Sequence, residues 1–75
     1  MELLDLVATD PEICHGQATI KGTRVLVSTI LDCLAGGMSD AEILDDFPSL
    51  DPESIRAAIA YGALLAREEL LPLRA

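Results

Sequence analysis

Tryptophan is absent from this chain, and Phe47 and Tyr61 are its only other aromatic residues. Platforms that stack single-stranded nucleic acid need several exposed rings, so that class of function is disfavoured at the outset. Bases are scarce too, five against thirteen acids, for a net charge of −8. A duplex backbone would be repelled by much of such a surface. Two cysteines, Cys14 and Cys33, can close one bridge at most. The start Met1-Glu2-Leu3-Leu4-Asp5 lacks the basic and then long apolar pattern of a secretory leader. The expectation is therefore two reduced thiols in a cytoplasmic protein. Long hydrophobic runs are missing as well: the longest, Ala57 to Ala66, is too short to span a bilayer.

Catalytic and metal-binding patterns are also lacking. His15 is the only histidine, and beside Cys14 it has poor spacing for two ligands on one ion, with no fourth ligand evident. Gly36-Gly37 follows a helical pattern, where a phosphate-binding loop would precede one. Carboxylates abound, but so short a chain has no sizeable pocket in which to desolvate them. The sequence predicts no enzyme, no cofactor and no metal.

What is present is enough for one small domain. With 51% apolar residues a core forms without metal or disulfide, although domains of this size are marginal alone and often associate. No repeat or linker interrupts residues 1–75. An arm and β-hairpin over 1–27 and a three-helix core over 28–73 are expected, a mainly α fold with helix-turn-helix connectivity. Leu3 to Val7 reads as an edge strand or arm, Asp10-Pro11 as a turn and Gly16 as a second bend. Ser28 is a candidate N-cap for a helix to about Ala35, ended by Gly36-Gly37. Ser39-Asp40-Ala41-Glu42 is a capping box for a second helix that Pro48 stops. Asp51-Pro52 opens a third, with Ile55, Ala58, Ile59, Gly62 and Ala66 expected inward, running to about Leu71.

Charge is distributed unevenly. Between Glu12 and Asp32 there is no acid, only Lys21 and Arg24, whereas Asp32 to Glu53 holds seven acids and no base. Within the acid-free stretch, Ile20-Lys21-Gly22-Thr23-Arg24-Val25 reads as a tight hairpin, with Gly22-Thr23 as a type II′ loop. Lys21 and Arg24 then become cross-strand partners, as do Ile20 and Val25. Like charges directly opposite disfavour a sheet, so an anion or acidic surface would reward the arrangement.

These segments together resemble a known family. The order Asp10-Pro11-Glu12-Ile13, Gly16, Ile20-Lys21-Gly22-Thr23-Arg24-Val25 with Val27, Ser39 with Glu42-Ile43-Leu44, Phe47-Pro48 with Leu50, and Ile55-Arg56-Ala57-Ala58 is similar to the family of unknown function numbered 433. The likeness spans roughly residues 5–65. It implies a small bacterial protein with a homeodomain-like helical core. It also implies an antitoxin role opposite a nuclease of the PIN-like fold. Two departures stand out: Gly16-Gln17-Ala18 where the family usually has Gly-Lys-Pro, and Leu26 where it usually has proline. Losing that lysine thins the positive charge beside the turn.

Each candidate site has a plain reading beside the functional one. Lys21, Gly22, Thr23 and Arg24 either turn the chain, with Arg24 paired to Asp32 or Asp51, or contact a partner, a second copy or a phosphate. Lys21, Arg24, Ser54 and Arg56 are the residues available to a DNA-binding regulator, the alternative function. The first helix of the helix-turn-helix pair is acidic, so DNA binding by the chain alone should be weak. Asp40, Glu42, Asp45, Asp46 and Glu53 either solvate a surface or dock on a basic groove such as a ribonuclease uses for RNA. Leu64, Leu65, Leu70, Leu71 and Leu73 sweep around the helix axis and exceed what one face can bury. They either fold back over the first helix or form an interface with a partner or another copy. The expected function is a non-enzymatic, antitoxin-like, homo-oligomeric module that binds a PIN-like toxin, without a membrane.

Overall fold

The chain folds, in a computed structural model that describes residues 2–68, as three helices behind a small antiparallel sheet. A 3-10 turn, Leu3–Leu6, leads into β1 (Val7–Ala8), which pairs antiparallel with β2 (Thr19–Ile20) in the register Val7 opposite Ile20. Then come α1 (Val27–Ala35), α2 (Asp40–Asp46) and α3 (Pro52–Glu68). The arm is thus half turn and half strand, and its pairing partner is β2 of the same chain.

The expected hairpin register holds, but its loop sits one residue earlier and is longer. Ile20 N–H donates to the Val25 carbonyl at 3.0 Å and Val27 N–H to that of Ala18 at 3.0 Å. Thr23 N–H closes on the Ile20 carbonyl at 2.9 Å, so Lys21-Gly22 are the central residues of the turn. Gly22, at φ 81°, occupies the third position, where type II geometry requires a positive φ that glycine adopts without steric cost. Lys21 and Arg24 are therefore turn residues rather than cross-strand partners, and the like-charge penalty does not arise. The amide of Lys21 instead donates to the Leu6 carbonyl at 2.7 Å, which fastens the turn to the arm.

The return strand is a single bridge, Thr19 opposite Leu26, because α1 begins at Val27 rather than Ser28. Leu26 occupies the N-cap without a side-chain hydrogen bond, and Ser28 lies exposed in the first turn. The other end matches expectation. Gly37 N–H donates to the Leu34 carbonyl and Met38 N–H to that of Cys33, both at 3.0 Å, a Schellman closure with Gly37 at φ 93°.

Ser39 and Glu42 form the expected capping box, with 2.8 Å from Ser39 N–H to Glu42 Oε1 and 3.2 Å from Glu42 N–H to Ser39 Oγ. Asp51 caps α3 by accepting from Ser54 N–H at 3.0 Å. Ser54 answers in kind, its hydroxyl oxygen accepting from Asp51 N–H at 3.2 Å.

The core is aliphatic: Ile30, Ile43 and Ile55 are wholly buried, joined by Ile20, Val27, Leu50, Ala57 and Ala58. On α3 the buried face is turned from the one expected. Ser54, Ile55, Ala57 and Ala58 are inside, while Ile59 is 49% exposed and Ala66 faces solvent. At 3.6 residues per turn, 55, 58 and 62 share a side with 54 and 61, and Ile59 and Ala66 fall beyond its edge. α1 covers that side so closely that a Cβ at Gly62 would stand 3.1 Å from Leu31 Cδ1.

Candidate partner-binding surface

Three regions carry the candidate residues, and the fold places each differently. The turn presents Lys21, Gly22 and Arg24 to solvent. Thr23 is consumed by structure: its hydroxyl donates to the Ile20 carbonyl at 2.8 Å and accepts from Val25 N–H at 3.0 Å. A shallow groove of about 430 Å³ runs beside the turn, lined by Ala8, Asp10, Ile13, Thr19, Gly22, Thr23 and Arg24. Asp10 is in that groove, so a phosphate approaching Arg24 would meet a carboxylate. An acid-free stretch of sequence is not an acid-free surface.

One neighbouring feature is only faintly signalled by residue types. Cys14 and His15 both take positive φ, 52° and 58°, ahead of Gly16 at 81°, making a left-handed turn of three residues. Gly16 and, more weakly, His15 hint at it in sequence. The Cys14 thiol points back to the Arg24 carbonyl at 3.6 Å, so this turn and the Lys21-Gly22 turn lean on each other. Both cysteines are free, and no cluster suited to a metal occurs among the described residues.

α2 is the second region. Asp40, Glu42, Asp45 and Asp46 are all exposed, while Ile43 on the opposite side is wholly buried. Glu53, at the start of α3, is exposed as well. The backbone N–H of Ser39, and after it the Ser39 hydroxyl, hold the Glu42 carboxyl below its ordinary value, because each favours the charged form. Asp40 and Glu42 lie in the first turn, where the helix end favours negative charge. Asp45 and Asp46 lie in the last turn, where exposed carbonyl groups disfavour it, and no base accompanies them. Helix stability accounts for the first pair of acids and not for the second.

The third region is the far half of α3, where Leu64 is half-buried and Leu65 is 45% exposed. Leu70, Leu71 and Leu73 lie outside the described residues. Tyr61 divides two apolar grooves there. One, of about 350 Å³, includes Thr9, Val27, Leu31 and Leu65; the other, of about 360 Å³, includes Leu4, Val7, Ala8 and Leu64. Leu64 and Leu65 thus line grooves that α1 and the arm only partly cover.

The DNA-contact candidates separate. Arg56 is exposed on α3, but Ser54 is 5% exposed and its hydroxyl is committed to Asp51. The start of the second helix in the helix-turn-helix pair therefore offers one base and no free hydroxyl. The sequence marked Ser54 as polar and near a helix start without revealing that its hydroxyl works inward.

No helix among the described residues is long and apolar enough to cross a membrane. The model of the family described as "Protein of unknown function (DUF433)" matches residues 7–62. Uncharacterized protein y4eO of Sinorhizobium fredii is 39% identical over 58 residues, which cover 77% of this chain and 26% of that relative. A crystal structure of a DUF433 member protein from Anabaena variabilis superposes with a TM-score of 0.77 at 32% identity, covering 84% of this chain and 62% of that one. The chain thus spans about a quarter of the curated relative and under two thirds of the crystallised one.

Proposed function

The chain belongs to the DUF433 family of proteins of unknown function, and from that footing we propose that it is a non-enzymatic, antitoxin-like module. In this reading it binds a PIN-like ribonuclease toxin in the cytoplasm and blocks it by occupying its surface. The observation that carries the proposal is the pair Asp45 and Asp46, exposed at the end of α2 where helix stability disfavours acids. Together with Asp40, Glu42 and Glu53 they make a surface complementary to a basic RNA-binding groove. Such complementarity speeds encounter and rejects wrong partners. Leu64 and Leu65, beside the grooves at Tyr61, supply apolar contact area that charge alone does not.

The test is co-purification of the tagged chain from its host, with identification of what stays bound, repeated with Asp45→Lys/Asp46→Lys. The expected result is a nuclease-type partner whose affinity falls about tenfold or more in the double variant. Retention of no such protein, or equal retention by the variant, overturns the reading.

A DNA-binding regulator is the second reading, favoured by one observation, the exposed Arg56 on the second helix of a helix-turn-helix pair. Lys21 and Arg24 would add phosphate contacts. The acids of α2, which would cross the backbone, work against it. A gel shift on upstream DNA with the chain alone at moderate salt should show little retardation. Tight, sequence-selective retardation that Arg56→Ala abolishes would reverse the order of the two readings.

A further inference from the structure

β2 cannot accept another strand, because β1 flanks it on one side and the Leu26 segment on the other. β1 keeps one edge unpaired among the described residues, but at two residues it offers little backbone to a partner strand. A different surface is left open on the outer face of α3. There Ile59 is 49% exposed, and Ala63 beside it is exposed too. Arg56 and Arg67, both exposed, bracket them about 16 Å apart along the helix.

The N-terminal 3-10 turn lies against this face. Leu3 is half-buried there, whereas Leu4 remains 38% exposed. Residues three apart eclipse in a 3-10 helix, so Glu2 and Asp5 share one edge of the turn, and both are exposed. Two shallow grooves join the elements. One of about 200 Å³ is lined by Leu3, Arg56, Ile59 and Ala60, and one of about 340 Å³ by Glu2, Leu3, Leu4, Ala60 and Arg67. The result is an apolar strip with two bases along one side and two acids along the other.

We propose that a second copy of this chain covers the strip, around a two-fold axis between α3 and the N-terminal turn. Each α3 then lies on the N-terminal turn of the other copy. A two-fold interface must be self-complementary, with each residue contact made twice. Placing α3 directly on α3 in antiparallel fashion would bring the bracketing arginines of the two copies towards each other. Crossing α3 over the partner turn sets Arg56 and Arg67 against acids, and Ile59 against leucine. The acidic face of α2 takes no part, so this surface and the toxin-binding reading stand or fall separately.

Sedimentation of the full chain, from low micromolar to sub-millimolar concentration, tests the assignment. Wild-type protein should move towards the dimer mass as concentration rises. Ile59→Asp should stay monomeric throughout, with an unchanged helical signal, since the side chain is half in water in the single copy. Arg56→Glu/Arg67→Glu and Glu2→Arg/Asp5→Arg should each weaken self-association about tenfold or more, and a mixture of the two variants should associate again. A wild-type monomer at every concentration overturns the proposal. So does a dimer indifferent to Ile59→Asp, or a mixture of charge variants that stays apart.

Discussion

Gly22 shows how much of a turn hangs on one residue. A Cβ added there would meet nothing within 4 Å, so any cost of substitution comes from its φ of 81° alone. Gly22→Val should destabilise the fold by about 1–2 kcal/mol, read as a lower urea midpoint at unchanged slope. A change near zero would mean that the turn relaxes to another conformation. The glycine was legible in the sequence, and so was the pairing of Ile20 with Val25. The type of turn was not, because Thr23 settles it through a hydroxyl that ties Ile20 to Val25. Cys14 and His15 were still less legible: cysteine does not announce a positive φ and histidine does so only weakly, and tertiary contacts hold it against its local cost.

Among the elements, α2 was the most legible, since its cap and its stop both come from short-range chemistry. Its stability should depend on acid in a direction set by Glu42. The folded state holds that carboxyl below its ordinary value, so it contributes stability above the ordinary value and loses it as pH falls through the lowered one. Protection of the α2 amides in hydrogen exchange should accordingly decline as pH falls from the ordinary carboxylate range through the lowered value of Glu42. Glu42→Gln, which keeps an acceptor oxygen but does not titrate, should flatten that part of the decline. An identical profile in the variant would remove Glu42 as the cause. α3 was legible in its start and not in its orientation, and its expected end at about Leu71 lies outside the described residues. Apolar residues surround much of its axis, so periodicity could not say whether Ile59 or Ala57 goes inside. The packing of α1, α2 and the arm selects Ala57 and leaves Ile59 half in water.

The whole molecule rests on a small core with no fully buried aromatic side chain. At roughly 0.05–0.15 kcal/mol per residue, a chain of this length has about 4–11 kcal/mol of stability. Ile43, wholly buried, joins α2 to the rest of the core, and Ile43→Ala should remove about 2–4 kcal/mol of it. Urea titration should show one transition at a much lower midpoint. Loss of α2 alone, with the rest still folded, would mean that the core is not a single cooperative unit. Charge is organised at this scale too. The acids gather on α2, while Arg56 and Arg67 line the outside of α3. The two surfaces suit partners of different character.

The capping box of α2, the Asp51 cap of α3, the glycine stop of α1 and the helix count follow from interactions spanning a few residues, and the order of residues along the chain was sufficient for them, though not for the N-cap of α1. The acid-rich segment was visible in the same way, because it is a matter of composition. Which apolar residues remain outside, which polar ones are used internally, and where Asp10 stands relative to Arg24 depend on elements distant in sequence coming together. Ser54 and Ile59 illustrate the divide: each looked suited to the opposite environment until the other helices and the arm closed around α3.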